Sequence, residues 1–149
     1  MGPHSLTRDF REFLQSLNDQ GVEYLVIGGH AVAFHGYPRA TADLDVWIAV
    51  HPDNADRLVK ALRQFGFDLP ELSADLFLQP DRIVRMGVPP NRIEIQTGID
   101  GVFFDECRPR GVTSELDGLR VPFIALADLK ANKRASGRNK DLADLDHLP

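Results

Sequence analysis

Cysteine is nearly absent: Cys107 is the only one in 149 residues. A single thiol makes neither an internal disulfide nor a cysteine-rich zinc site. Long apolar runs are missing too. The longest are about five residues, as in Val46-Trp47-Ile48-Ala49-Val50, where a membrane-spanning helix needs about 18–20. No positively charged, then apolar, segment of the signal type stands near the start. Met1-Gly2-Pro3-His4 reads as an expression remnant. There is no excess of basic residues. The formal net charge is −5, which disfavours a protein that binds nucleic acid over its whole surface. No Gly-Lys dipeptide occurs, which excludes a Walker A loop, and Gly28-Gly29 lacks the third glycine of a dinucleotide fingerprint. These absences predict a cytoplasmic protein with no membrane partner.

The composition, 43% hydrophobic and 26% charged, fits one folded domain over residues 1–149. Leu6, Phe10, Phe13, Leu14 and Leu17 recur at helical spacing, with Thr7 as cap and Gly21 as stop. Tyr24-Leu25-Val26-Ile27 reads as a buried strand ending at Gly28-Gly29. A short helix over His30–His35 and a loop through Tyr37-Pro38-Arg39-Ala40-Thr41 lead to a second strand, 44–50. Pro52-Asp53 opens a helix closed by Gly66. Residues 83–88 and 92–97 read as strands joined by Pro89-Pro90-Asn91, and Asp117-Gly118 as a hairpin turn. Helices over 125–135 and 141–148, parted by Ser136-Gly137, close the chain and are expected to pack on the rest. The pattern predicts an α/β (α+β) fold: a mixed sheet flanked by helices, with one strand–helix–strand crossover over 24–50.

Three features carry chemistry. Glycines between a strand and a helix start let a phosphate approach free backbone N–H groups, although such glycines are often only turns. In Asp43-Leu44-Asp45, two carboxylates share one face of a strand otherwise apolar. Their repulsion and lost hydration call for a compensating charge, a divalent cation being the natural one. The competing reading places both at an exposed strand end. Glu94 lies on the polar face of Arg92-Ile93-Glu94-Ile95-Gln96, opposite Ile93 and Ile95. If that strand neighbours the Asp43–Asp45 strand, three acids meet, a set suited to Mg²⁺ or Mn²⁺. The C-terminal stretch adds Lys130, Lys133, Arg134, Arg138 and Lys140, followed by Asp141, Asp144 and Asp146. It reads as a local anion site or as a solvated helix face.

Together these features resemble the nucleotidyltransferase fold of the DNA polymerase beta superfamily. Gly28-Gly29-His30-Ala31-Val32-Ala33-Phe34-His35-Gly36, then Arg39, Thr41 and Asp43-Leu44-Asp45, is similar to the abortive-infection AbiEii-type branch. That branch also has Lys-x4-Arg and Asp-x-x-Asp motifs in C-terminal helices. Lys133 to Arg138 and Asp141-Leu142-Ala143-Asp144 match them, so the resemblance spans about residues 22–148. Two departures stand out: Glu94 where aspartate is commoner, and the lack of the large helical domain of bigger relatives.

The resemblance implies a metal-dependent transfer of a nucleotide from a nucleoside triphosphate. The acceptor would be an RNA, such as a tRNA end, or a protein hydroxyl. The implied setting is toxin–antitoxin or phage defence, with a cognate partner. Catalysis would fall to Asp43, Asp45, Glu94 and Lys133, and metal binding to the three acids. Gly28, Gly29, Arg39, Thr41, Lys130, Arg138, Asp141 and Asp144 would bind the nucleotide. Lys140, opening the last helix, is expected to matter less than Lys133. The alternatives are a non-catalytic, antitoxin-like binder of the same fold and a phosphate-ester hydrolase.

Overall fold

The computed structural model describes residues 6–41 and 43–149. The expected expression remnant at 1–4 lies outside them. Six strands form one mixed sheet in the order β3-β4-β2-β1-β6-β5. They are β1 (Tyr24–Ile27), β2 (Leu44–Ile48), β3 (Ile83–Met86), β4 (Ile93–Gln96), β5 (Val112–Leu116) and β6 (Leu119–Phe123). The helices are α1 (Arg8–Asp19), α2 (Gly28–Phe34), α3 (Pro52–Phe65), α4 (Phe104–Cys107), α5 (Leu126–Ser136) and α6 (Asn139–His147). β2 runs parallel to β4 and β1 parallel to β6; the remaining pairs are antiparallel. No helix among the described residues is long and apolar enough to cross a membrane.

Local chemistry accounts for the elements. Thr7 caps α1 by accepting from the Phe10 N–H at 3.2 Å. The stripe read from the sequence is the buried one: Phe10, Phe13, Leu14 and Leu17. Pro52 sits in the first turn of α3, where its missing N–H costs nothing, and Gly66 caps the other end at φ 122°. α1 and α3 join through an edge-to-face pair, Phe13 on Phe65, with ring centroids 5.5 Å apart. One sheet face carries Tyr24, whose hydroxyl donates to Asn18 of α1 at 2.9 Å. On the other face the buried Trp47 meets Phe104 of α4 edge-on at 5.2 Å.

The expected crossover over 24–50 is corrected. β1 and β2 are neighbours, but antiparallel, with Ile27 opposite Asp45. A parallel crossover would return the chain to the start of β1. Instead α2, only seven residues long, and the loop after it bring the chain back to the end where β1 finished. The short helix also starts earlier than the sequence suggested, at Gly28 itself. β2 ends at Ile48, and Asp43 lies one residue before it. β3 and β4 are each shorter than their apolar patterns suggested.

Asn54 fastens the far end of this pair. It is fully buried on α3. Its side chain accepts from the Glu23 N–H at 2.7 Å and donates to the carbonyls of Ala49 at 2.8 Å and Glu23 at 3.1 Å. It thus satisfies backbone just before β1 and just after β2. Asn54→Ala leaves buried backbone groups unpaired and is expected to cost about 2–4 kcal/mol. Urea unfolding checks this. A loss below about 0.5 kcal/mol would mean that water replaces the amide at no cost.

Candidate active site

Antiparallel pairing places Asp45 one residue from the glycine turn. Gly28 sits at φ 68°, and a Cβ there would lie 2.1 Å from Asp45 Oδ2. The position is glycine for two reasons: its backbone needs the left-handed region, and its missing side chain makes room for a carboxylate. A Cβ on Gly29 would lie 2.4 Å from Thr41 Oγ1. The turn is packed by the acid-bearing segment and also lines the cavity described below.

Glu94 is the register partner of Asp45 across the parallel β2–β4 pair. Neighbouring strands lie about 4.8 Å apart, so the two side chains rise from one face within contact. They share a hydrogen bond. Burial pushes the Asp45 carboxyl up to about 8, reinforced by that hydrogen bond and by the charges of Glu94 and Asp43, with Lys140 opposing. Glu94 moves the other way. Burial disfavours its charge, but the hydrogen bond from Asp45 and the guanidinium groups of Arg85 and Arg92 outweigh it. Of the pair, Asp45 is thus the carboxyl that favours the proton and Glu94 the one that favours the negative charge.

Two arginines complete the cluster. Arg92 donates to Asp43 at 2.7 Å and approaches Glu94 at 3.8 Å. Arg85 donates to Glu94 at 2.9 Å. No three acid, histidine or cysteine groups among the described residues stand in a metal-holding geometry. Even so, Asp43 Oδ1 and Asp45 Oδ1 are buried with no hydrogen-bond partner. Three carboxylates with two orphaned oxygens are a donor set that fits a hard divalent cation.

The acids and glycines open into a cavity of about 630 Å³, which Arg39, Thr41, Lys133, Arg138 and Lys140 also line. Its size is that of a small-molecule site. α5 and α6 reach it because Gly137, in the left-handed conformation at φ 63°, ends α5 and turns the chain. On the rim, Asp100 accepts from Asn132 of α5 through its carbonyl at 2.9 Å and from Ser136 through its carboxylate at 3.1 Å.

The C-terminal motifs form a closed ionic network. Lys133 Nζ lies 3.2 Å from Asp141 and 3.0 Å from Asp144, and its side chain is 5% exposed. Arg39 grips Asp144 with two hydrogen bonds, at 2.8 and 3.0 Å. Arg138 Nε lies 2.8 Å from Asp141. Burial works against the charge of both aspartates, and these cations overcome it, holding both carboxyls below the ordinary range. Asp141 and Asp144 therefore serve the cations rather than the cavity, which they do not line. Lys130 does not line it either; its ammonium meets the Pro149 main-chain oxygen. Sequence reasoning gave no role in the site to Arg85, Arg92 or Asp100, and it ranked Lys140 below Lys133. Arg85 carried a signal, as a basic residue on the strand paired with Glu94.

No family model matches the sequence, and no curated relative matches it. Among solved structures, the chain is similar to a protein of Thermotoga maritima described as a "putative nucleotidyltransferase". The two share 16% identity over 96% of this chain and 94% of that one, with a TM-score of 0.63. At that identity the likeness speaks for architecture. The mixed sheet and its flanking helices have the nucleotidyltransferase-like fold.

Proposed function

We propose that the protein is a metal-dependent nucleotidyltransferase. The observation that carries this is the register pairing of Asp45 with Glu94 beside the Gly28 backbone, with Asp43 one residue before the strand. In this reading an acceptor hydroxyl attacks the α-phosphorus of a nucleoside triphosphate. A new O–P bond forms, the α–β anhydride bond breaks, and pyrophosphate leaves. The hydroxyl proton passes to a carboxylate of the cluster, Glu94 being the one held ionised by arginine. Mg²⁺ or Mn²⁺, held by Asp43, Asp45 and Glu94, would neutralise phosphate charge.

The remaining roles follow from placement. Gly28 and Gly29 offer backbone close to the acids. Thr41 donates to the Asp43 carbonyl at 3.4 Å and shapes the segment leading to the acids. Arg39, locked to Asp144, ties that segment to α6. Lys133 acts by holding α5 and α6 against the site. The acceptor class, an RNA such as a tRNA end or a protein hydroxyl, and the toxin–antitoxin or phage-defence setting with a cognate partner, rest on the sequence resemblance.

A second reading has an observation of its own. Arg92 and Arg85 already neutralise Asp43 and Glu94. A site so balanced suits a nucleotide-binding protein without turnover. Incubation with each labelled nucleoside triphosphate, Mg²⁺ or Mn²⁺, and total RNA or lysate protein separates the two. Transferred label supports the enzyme, and retention of bound nucleotide without transfer supports the binder.

Metal binding must displace the Asp45 proton. Affinity for Mn²⁺ is therefore expected to rise as pH increases toward about 8, by up to tenfold per pH unit, with proton release measurable by calorimetry. A flat profile from pH 6 to 8 would remove Asp45 from the ligand set.

Asp45→Asn is expected to abolish transfer while the fold survives. Because its carboxyl is raised from 3.8 to about 8 in the folded protein, the native state binds more protons than the unfolded one between those values. This group's contribution to stability therefore falls as pH rises through that window. The substituted protein should gain little at pH 4 and gain progressively toward pH 8, read as the difference in Tm. A variant that fails to fold would make Asp45 structural.

Lys133→Met removes a buried cation from between two buried carboxylates. Its expected cost is about 3–5 kcal/mol, measured by urea unfolding. Full stability would mean that Arg39 and Arg138 alone neutralise the pair.

A further inference from the structure

The cavity is lined by six cations: Arg39, Arg85, Arg92, Lys133, Arg138 and Lys140. Five are held by carboxylates of the protein itself at 2.7–3.2 Å: Arg92 by Asp43, Arg85 by Glu94, Arg39 by Asp144, Arg138 by Asp141, and Lys133 by Asp141 and Asp144. Turning Lys133 to a ligand would take from two almost fully buried carboxylates the cation they share, leaving each with a single arginine, Asp144 with Arg39 and Asp141 with Arg138. Among the described residues, Lys140 has neither an ion pair nor a hydrogen bond through its ammonium. It is exposed, and it lines the same cavity as Gly28, Gly29 and Asp45.

Its position also runs against local electrostatics. Lys140 is the second residue of α6, where the helix presents its positive end and disfavours a cation. The same first turn holds Asp141, the residue type that such a position favours, but that carboxylate is turned inward to Arg138 and Lys133. The chain thus places an exposed positive charge beside a positive helix end, on the lining of the cavity. Local rules broken in this way mark a functional position.

We propose that Lys140, rather than Lys133, is the cation that grips the β- and γ-phosphates of the nucleoside triphosphate. This rests on the nucleotidyltransferase reading. A free ammonium meets an incoming polyphosphate without giving up any bond inside the protein. A flexible lysine stem suits a group that binds the triphosphate and then lets pyrophosphate go. Lys133 then keeps the architecture and Lys140 supplies the contact.

The test is calorimetric titration of ATP, CTP, GTP and UTP, and of the matching monophosphates, into the wild type, Lys140→Ala and Lys140→Arg with Mg²⁺ present. For the triphosphate that the wild type binds best, Lys140→Ala should weaken affinity tenfold or more. The matching monophosphate should change less than twofold. Lys140→Arg should recover at least part of the loss. Tm of the alanine variant should be equal or higher, because a cation leaves a positive helix end. Equal loss for triphosphate and monophosphate, or unchanged triphosphate affinity, overturns the assignment while leaving the enzyme reading standing. If the wild type binds no nucleoside triphosphate, that reading itself falls, and this proposal with it.

Discussion

The antiparallel return of β2 along β1 is the constraint from which the site follows. It sets Asp45 opposite Ile27 and hence beside Gly28, the first residue after the strand. Had the segment crossed over to run parallel, Asp45 would emerge at the other end of a four-residue strand, about 10–13 Å away at 3.3 Å per residue. The glycine turn and the acids would then be separate features. The parallel pairing of β2 with β4 completes the arrangement by placing Glu94 level with Asp45. Two strand registers bring together a backbone turn and a carboxylate pair that are 66 residues apart at their extremes, Gly28 and Glu94.

Such a site carries an electrostatic cost. Two carboxyls share a low-dielectric face with a third close by. The protein limits the cost in two ways, by a proton on Asp45 and by the guanidinium groups on Asp43 and Glu94. Both are reversible: a proton leaves at moderate pH, and Arg85 and Arg92 are partly exposed, at 56% and 35%, so they can swing into water. A hydrophobic filling would give more stability but could not be vacated. The orphaned oxygens of Asp43 and Asp45 mark what this compromise leaves unsatisfied.

Much of this was legible in the sequence. Tyr24–Ile27, Pro52–Phe65 and the Asp117-Gly118 turn appear where period, proline and glycine put them. So do Asp45 and the alternation around Glu94, because period 2 fixes which residues share a face. Strand direction was not legible, since apolar pattern is the same for a crossover and a return. Asn54 was hidden because a polar residue in the first turn of a helix normally faces water. The 3-10 turns at Ala74–Phe77 and Arg108–Arg110 and the one-turn helix Phe104–Cys107 are too short to show a period. The middle third of the chain was accordingly the least readable.

The basic C-terminal segment shows why charge spacing alone misleads. Five cations in eleven residues from Lys130 to Lys140 look equivalent on paper. Folding sorts them by depth. Lys130 goes to the chain end and Lys133 inward to two aspartates, while Arg138 caps α6 through Asp141. The sorting comes from the helix rather than from the charges. At 100° per residue, the three-residue step from Lys130 to Lys133 leaves them about 60° apart. That is enough to place one at the edge of α5 and the other underneath it. Asp141 and Asp144 lie at the same three-residue spacing on α6, so both reach the one buried lysine, which binds the two helices as a unit. A cation is available to a ligand only where this internal pairing has run out of carboxylates. The network of four residues around Lys133 therefore determines, by what it consumes, which charge remains free at the cavity.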